Sequence, residues 1–284
     1  MADQVNAPTL GFIGFGNMAQ AMAKGLVEAG ALPGTRIYAT AAHFDKLQAS
    51  TAALGAHACE DARGVVKASD FVVVAVKPHL VASVLEPVRD ALAAPGKAVI
   101  SVAAGCGFDF YEGVLAPGTH HLSTIPNTPI AVGAGVVACE QRHSLSEGEL
   151  AAFEDLFGQV ALIEWVDGKL LSTASAIAGC GPAFAAMFLE ALGDAGVKHG
   201  LPRAAAYRLA AQMMMGTAKL HLETGTHPGA MKDAVCSPGG TTIKGVASLE
   251  KDAFRGAVIN AIDAIEGEVP AAPRGRPRPP RPSP

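Results

Sequence analysis

Short apolar runs alternate with segments of helical spacing over the first 165 residues. Residues 10–14, 36–40, 70–76 and 98–102 have the compact apolar pattern of buried strands, and residues 18–28, 44–54 and 80–92 have the three-to-four-residue apolar spacing of helices. Further strand-like runs at 120–124, 135–139 and 160–165 extend the predicted sheet. Strands that alternate with helices of this length predict βαβ units and a Rossmann-type, doubly wound parallel sheet.

The pattern changes after Trp165, where no further strand-like run occurs. Helical spacing covers residues 168–198, 202–223, 228–235, 240–249 and 252–266. Pro202 and Pro228 stand where helix-starting prolines are common, and Gly200 and Gly225 stand where helices commonly end. The sequence therefore predicts a Rossmann-type domain over residues 1–165, an all-helical domain over 166–268, and a tail over 269–284.

Composition agrees with two folded domains and adds a charge asymmetry. The chain has 284 residues, half of them hydrophobic and 17% charged, which is ample for a sizeable core. The net charge of −4 gives no reason to expect nucleic acid as a partner. The tail holds four arginines and no acidic residue, so the body has 18 basic against 26 acidic residues, a net charge of −8. Its proline and arginine content predicts a disordered tail.

Three observations bear on location. The N-terminus has neither a basic start nor an apolar leader, and the five scattered cysteines form no CxxC pair, so we expect a cytoplasmic protein without disulfides or a metal site. The 20 uncharged residues between Lys169 and Glu190 are long enough to cross a bilayer. Their small and polar residues and the internal Pro182 favour a helix buried within protein, so no membrane is expected.

A glycine-rich turn follows the first predicted strand. Gly14, Phe15, Gly16, Asn17 and Met18 precede Ala19 in a G-x-G-x-x-A sequence that opens a helix. The first glycine permits a tight turn, the second allows the backbone to approach a pyrophosphate, and the helix N-terminus attracts phosphate. This position predicts dinucleotide binding.

The second strand bears on the choice between NADPH and NADH. It ends at Thr40 without the acidic residue that usually bonds the ribose 2′-hydroxyl of NADH, and His43 and Lys46 follow. This favours NADPH, with NADH left open, and His43 is equally well explained as a surface residue at a helix start. Val76, Lys77 and Pro78 end another strand, where Lys77 is either near the cofactor ribose or simply solvated.

Three clusters of Gly, Pro, Ser and Thr interrupt the pattern further along the chain. They are IPNTP at 125–129, AGCGPAF at 178–184 and KDAVCSPGGTTI at 232–243. The last cluster ends at a helix start, where free backbone N–H groups can receive a small carboxylate.

Taken in order, GFGNMA, AVKP, SVAAG, IPNTP, AGCGPAF and KDAVCSPGGTTI resemble the motifs of the pyrroline-5-carboxylate reductase family over about residues 9–267. The resemblance implies NAD(P)H-dependent reduction of 1-pyrroline-5-carboxylate to L-proline, the last step of proline biosynthesis. It also implies that the helical domain interlocks with that of a second subunit, in a homodimer or a larger ring.

The resemblance also implies roles for individual residues. Thr242 would place its hydroxyl near the imine nitrogen as the catalytic group, and Ser237, Gly239, Gly240, Thr241 and Thr242 would bind the substrate carboxylate. The cofactor-binding set would be Gly14, Phe15, Gly16, Asn17, Met18, Thr40, His43, Val76, Lys77, Pro78, Ala104 and Asn127, with no metal.

The chain departs from the family pattern at four positions. Ser123 stands where the family commonly has arginine, Ala178 and Cys180 replace serines, and Phe184 replaces tyrosine. Two alternatives remain: a β-hydroxyacid-dehydrogenase-like enzyme, which has the same domain order, and an NADP-binding regulatory protein without catalysis, which would account for the departures at 178–184. The first alternative needs a lysine on the first interdomain helix, and none occurs between positions 170 and 197.

Overall fold

The architecture is that of a computed structural model, which describes residues 8–267. An eight-stranded sheet has the order β3-β2-β1-β4-β5-β6-β7-β8. The strands are β1 Leu10–Ile13, β2 Ile37–Thr40, β3 His57–Ala58, β4 Phe71–Val74, β5 Ala98–Ser101, β6 His120–Pro126, β7 Gly135–Glu140 and β8 Ala161–Val166. All neighbouring strands are parallel except β6 and β7. The predicted doubly wound sheet is confirmed, and the predicted tail at 269–284 lies outside the described residues.

Thirteen α-helices lie in the described residues. They are α1 Asn17–Glu28, α2 Phe44–Ala52, α3 Ala62–Ala68, α4 Val81–Leu85, α5 Arg89–Leu92, α6 Phe108–Val114, α7 Glu147–Gly158, α8 Leu171–Ser175, α9 Gly181–Lys198, α10 Arg203–Thr224, α11 Pro228–Ala234, α12 Thr241–Lys251 and α13 Phe254–Glu266. A π-helical turn, Ala176–Cys180, joins α8 to α9. Short 3-10 turns lie at Gly34–Arg36, Pro78–Leu80, Glu86–Val88, Thr128–Val132 and Gly168–Leu170.

Both faces of the sheet are buried, and the strand sequences show why. Successive side chains of a strand point to opposite faces. On β4, Phe71 and Val73 belong to one apolar cluster, whereas Val72 and Val74 belong to the other. An uninterrupted apolar run such as FVVV therefore marks a strand covered on both sides.

Several predicted elements differ in detail from the structure. The predicted helix at 80–92 is divided into α4, a 3-10 turn and α5 because Pro87 supplies no backbone N–H and cannot continue a helix. The third predicted strand ends at Val74 rather than at 76. The short β3, α3, α6 and α7 were not predicted. The antiparallel pairing of β6 with β7 follows from the short connection between them, since a parallel pairing needs a crossover.

The chain divides into two compact units between Phe188 and Leu189. The first contains the whole sheet, and its last strand ends at Val166. The second contains the rest of α9 and helices α10 to α13. The predicted domain bounds at 165 and 268 stay a prediction.

Two glycines of α9 allow α9 and α10 to pack closely in the second unit. A Cβ on Gly193 would come within 2.8 Å of the Tyr207 ring, and one on Gly196 within 2.9 Å of the Ala206 Cβ. The predicted helix stops are confirmed, since Gly200 and Gly225 both adopt left-handed backbone angles after these helices. Only Ala206 and Ala210 of the 22 residues of α10 are buried in the chain itself.

Candidate active site

The glycine loop between β1 and α1 is formed as predicted. Gly14 has φ +92°, and a Cβ there would lie 2.7 Å from the carbonyl oxygen of Ala75. Gly16 is the N-cap of α1 and supplies no side-chain cap, so the first N–H groups of the helix have no side-chain acceptor at this cap. A Cβ on Gly16 would meet no atom within 4 Å. The space in front of the helix N-terminus is thus open, as a pyrophosphate requires.

Gln20 fixes the shape of this loop. Its side-chain Nε2 donates to the carbonyl oxygen of Phe15 at 2.8 Å, and the Gly14 N–H donates to the carbonyl oxygen of Thr40 at 2.9 Å. The second bond ties the loop to the end of β2. The places predicted to hold pyrophosphate and ribose are therefore neighbours.

The end of β2 presents a mixed polar surface. Thr40 is buried, His43 is the exposed N-cap of α2, and Lys46 is exposed in the first turn of that helix. The His43 side chain makes no cap hydrogen bond. No carboxylate occurs between Thr40 and His43 to repel a 2′-phosphate, and Lys46 offers a cation within the next turn.

The end of β4 and the loop after β5 lie at the same edge of the sheet as the glycine loop. Val76 is half-buried, whereas Lys77 and Pro78 are exposed at the start of a 3-10 turn. Ala104 is exposed beyond β5. A cleft of about 230 Å³ next to it is lined by Ala104, Gly105, Cys106, Gly107, Ile125, Gly168, Leu171, Ser172 and Ser175. The carboxyl ends of parallel strands are where such folds bind dinucleotides.

Asn127 joins two of the sequence motifs. Its Nδ2 donates to the carbonyl oxygen of Ala178 at 2.9 Å, and its Oδ1 accepts from the Val136 N–H at 2.8 Å. Asn127 is 6% exposed, and both halves of its amide are engaged within the protein. The IPNTP segment thereby holds the π-helical turn of the AGCGPAF segment. A cleft of about 740 Å³ lies beside this bond, with Asn127, Glu164, Ala178 and Pro182 in its lining.

This bond makes an Asn127→Asp variant informative. A carboxylate retains the acceptor for Val136 but places an oxygen against the Ala178 carbonyl, so we expect a loss of about 2 kcal/mol and a Tm lowered by roughly 4–8 °C. The exposed Asn260→Asp in α13 is the control, expected within about 0.5 kcal/mol of the wild type. Equal melting temperatures for Asn127→Asp and the wild type would show that the bond contributes nothing.

The predicted substrate loop lies in the second unit, at the start of α12. The Gly240 N–H donates to the Ser237 carbonyl oxygen at 3.0 Å, and Gly239 has φ +71°. A Cβ on Gly240 would crowd Ser237 Oγ at 2.5 Å, which explains the second glycine of the motif. Ser237, Gly239, Thr241 and Thr242 are exposed, and Gly240 is half-buried. Gly240 is the N-cap of α12 without a side-chain cap, so the helix presents free N–H groups.

Two ionisable groups near the loop after β5 have raised pKa values. Burial raises the pKa of the Cys106 thiol, so this cysteine beside Ala104 stays protonated at neutral pH. Tyr111 has a raised pKa, mainly because it is buried. All five cysteines are free thiols. Within residues 8–267, no three His, Cys, Asp or Glu side chains are grouped as metal ligands.

The positions that depart from the family pattern fall in different surroundings. Ser123 lies on β6 with a buried hydroxyl that makes no hydrogen bond within the described part of the chain. Ala178 accepts the Asn127 hydrogen bond through its backbone carbonyl, and a serine at this position would have the same carbonyl. Cys180 is exposed and Phe184 is half-buried.

Sequence analysis missed a buried carboxylate, Glu140 at the end of β7. It is 7% exposed and accepts the Phe108 N–H. An acidic residue that closes the otherwise apolar run GVVAC was the available signal.

A Rossmann-type sheet with an open glycine loop, followed by a helical unit with an exposed, uncapped helix start, is typical of nucleotide-dependent oxidoreductases. Residues 9–105 match the family described as NADP oxidoreductase, coenzyme F420-dependent. Residues 168–268 match the family described as pyrroline-5-carboxylate reductase dimerisation.

Individual relatives cover nearly the whole chain. A pyrroline-5-carboxylate reductase of Treponema pallidum is 47% identical over 259 residues, which is 90% of this chain and 97% of that protein. A solved pyrroline carboxylate reductase of Plasmodium falciparum with NADP bound has a TM-score of 0.81 at 29% identity. A pyrroline-5-carboxylate reductase of Coxiella burnetii also has a TM-score of 0.81, at 32% identity. In both comparisons the match covers 92% of this chain and 97% of the solved chain. This chain belongs to the pyrroline-5-carboxylate reductase family.

Proposed function

We propose that this protein reduces 1-pyrroline-5-carboxylate to L-proline, the last step of proline biosynthesis, with NADPH as the electron donor. The observation that carries the proposal is the intact SPGGTTI loop at the uncapped start of α12, in a chain of this family. The substrate is a five-membered cyclic imine that carries a carboxylate, and the exposed N–H groups and hydroxyls of this loop are suitable donors to that carboxylate.

The loop would hold the substrate by its carboxylate. The free N–H groups at the start of α12 and the hydroxyls of Ser237 and Thr241 supply donors to an anion. Thr242, on the first turn of α12, would direct its hydroxyl to the imine nitrogen as a hydrogen-bond partner and the catalytic group. Because a cyclic imine is readily protonated near neutral pH, no strong protein acid is required.

Each group of predicted cofactor residues would bind a different part of NADPH. Gly14, Phe15, Gly16, Asn17 and Met18 would bind the pyrophosphate, and Thr40, His43 and Lys46 would face the 2′-phosphate. Val76, Lys77, Pro78 and Ala104 would line the ribose and nicotinamide. When bound, the nicotinamide supplies the hydride for the imine carbon. Asn127 would act indirectly, by fixing the π-helical turn beside the nicotinamide site. Its amide would not bind the cofactor, because both ends of it are already hydrogen-bonded within the protein.

The direct test is NADPH oxidation by the purified full-length chain with 1-pyrroline-5-carboxylate, compared with NADH and, in reverse, with 3-hydroxy acids. We expect turnover of the imine, faster with NADPH at limiting cofactor. Turnover of hydroxy acids but not of the imine would favour the β-hydroxyacid-dehydrogenase alternative. Cofactor binding without any turnover would favour the regulatory alternative.

Self-association follows from the dimerisation family match, and we propose that the second unit interlocks with its copy. Helix α10 carries an exposed stripe of Leu209, Met213 and Leu220 at helical spacing. The helical segment 168–198 is long and apolar enough to cross a membrane, and Met187 on it is 68% exposed. Contact with a second subunit would bury these apolar faces. Because the dimer would account for them without a lipid bilayer, we favour a cytoplasmic protein over a membrane protein.

Charge placed on this stripe tests the dimer. We expect Met213→Glu to convert the protein to monomers and lower its activity, because a carboxylate would be buried at the interface. Ala211→Glu adds the same charge to the same helix at an exposed position on the side opposite the stripe, and should stay dimeric. Mass measurement during size-exclusion chromatography distinguishes them, and an unchanged mass for Met213→Glu would remove α10 from the interface.

A further inference from the structure

The loop after β5 is exposed at its tip and anchored at its beginning. Ala104 and Gly105 are exposed, and Gly105 has φ +79°. Just before them, the Ala103 N–H donates to Ser101 Oγ at 3.2 Å. Ser101 Oγ in turn lies 2.6 Å from the Tyr111 hydroxyl, in a buried pair. The start of the loop is therefore fixed to the end of β5 by hydrogen bonds.

The other end of the loop is anchored from a strand distant in sequence. Gly107 is the N-cap of α6 and has no side chain with which to cap it. Instead, the Phe108 N–H donates to Glu140 Oε2 at 2.8 Å. Glu140 lies 32 residues further along, at the end of β7, and is almost completely buried. Its carboxylate replaces the missing cap at a helix end that favours negative charge.

Two neighbouring features accompany this hydrogen bond. A Cβ on Gly168 would overlap Glu140 Oε1, so the absence of a side chain there leaves the space that the carboxylate fills. The Arg142 guanidinium lies 4.1 Å above the Phe108 ring and pairs with Asp109 at 2.6 Å. The end of β7 thus contacts the start of α6 at two points.

We propose that Glu140 is a positioning residue for the cofactor: it fixes the loop 102–107 so that Ala104 lies at the nicotinamide end of the site. This inference rests on the proposed function, because it assigns the loop to cofactor binding. Anchors at both ends leave the tip few alternative positions, and a displacement of about 1 Å is enough to weaken such a site strongly.

Two substitutions at Glu140 separate positioning from bulk stability. Glu140→Leu keeps most of the volume and removes the acceptor for the Phe108 N–H. Glu140→Gln keeps a carbonyl oxygen in the same place. We expect Glu140→Leu to raise the Kd for NADPH about tenfold, measured by fluorescence titration without substrate, and to leave the KM for the imine within about twofold. Glu140→Gln should bind NADPH within about threefold of the wild type.

A substitution at Gly168, which lies against the Glu140 carboxylate, provides an independent test of the same inference. Gly168 has ordinary backbone angles, so Gly168→Ala is compatible with the local conformation but must displace the carboxylate. We expect a several-fold higher Kd for NADPH from Gly168→Ala alone. In a Glu140→Ala background the same change should have no further effect, because the carboxylate it would displace is gone.

Each result supports or overturns the inference. An NADPH Kd for Glu140→Leu within twofold of the wild type overturns it, as does equal impairment by Glu140→Gln or a parallel rise in the imine KM. If Glu140→Leu does not fold, additive effects of Gly168→Ala and Glu140→Ala overturn it instead. A wild type that binds NADPH but does not reduce the imine contradicts the proposed function alone, since the Kd measurements still decide the role of Glu140.

Discussion

A Gly16→Val variant is expected to fold like the wild type and to lose NADPH affinity by about 100-fold. The reason is the open space at this position, where a Cβ would meet no protein atom within 4 Å. The side chain would instead occupy the path by which a pyrophosphate approaches the N-terminus of α1, and the loss corresponds to about 2.7 kcal/mol. Valine is a poorer N-cap than glycine, so a cost of about 1 kcal/mol in stability is also expected.

Two comparisons make the Gly16 result specific. Gly148→Val also places its Cβ in open space at the first turn of a helix, and should leave the Kd for NADPH unchanged. Gly14→Val should instead destabilise the fold, because φ is +92° and the Ala75 carbonyl oxygen is too close. Titration with NADPH and thermal unfolding measure the two effects separately. Unchanged affinity in a folded Gly16→Val protein would mean that the pyrophosphate does not bind at this helix.

Much of the fold follows from local pattern alone. The FVVV run of β4 and the LGFI run of β1 are apolar at every position, which is typical of short strands covered on both faces. The glycine loop was predictable for a similar reason, since its residue types are dictated by backbone conformation and a close approach. Pro202 and Gly225 mark helix ends by the same local rules.

Features that depend on partners distant in sequence escaped prediction. Helix α6 has a glycine N-cap and obtains its acceptor from Glu140 on β7, so no side chain of its own N-cap marks where it starts. Likewise Asn127 was predicted near the nicotinamide, and nothing in the sequence indicates that its amide is engaged by Val136 and Ala178. Contacts of this kind are fixed by tertiary packing, which sequence pattern does not report.

Replacement of Thr242 by alanine is expected to lower kcat about 100-fold with little effect on stability. Thr242 is exposed, and its hydroxyl makes no hydrogen bond to any residue within 8–267, so its removal breaks no hydrogen bond among these residues. Alanine is also the better helix former at this position. A large loss of rate would therefore come from the lost hydrogen bond to the imine nitrogen, in the range typical of one positioned polar group in a transition state.

The companion variants decide whether the Thr242 hydroxyl itself is responsible. Thr242→Ser keeps the hydroxyl and should retain most of kcat, whereas Ser248→Ala removes an exposed hydroxyl from the same helix and should change nothing. Steady-state kinetics with the imine varied at saturating NADPH provide kcat and KM separately. A KM that rises while kcat is kept would move Thr242 from the reacting nitrogen to the substrate carboxylate, because uniform binding energy affects KM alone. A rate for Thr242→Ala within twofold of the wild type would leave catalysis to cofactor and substrate positioning, with the free N–H groups of α12 as the principal contribution of the second unit.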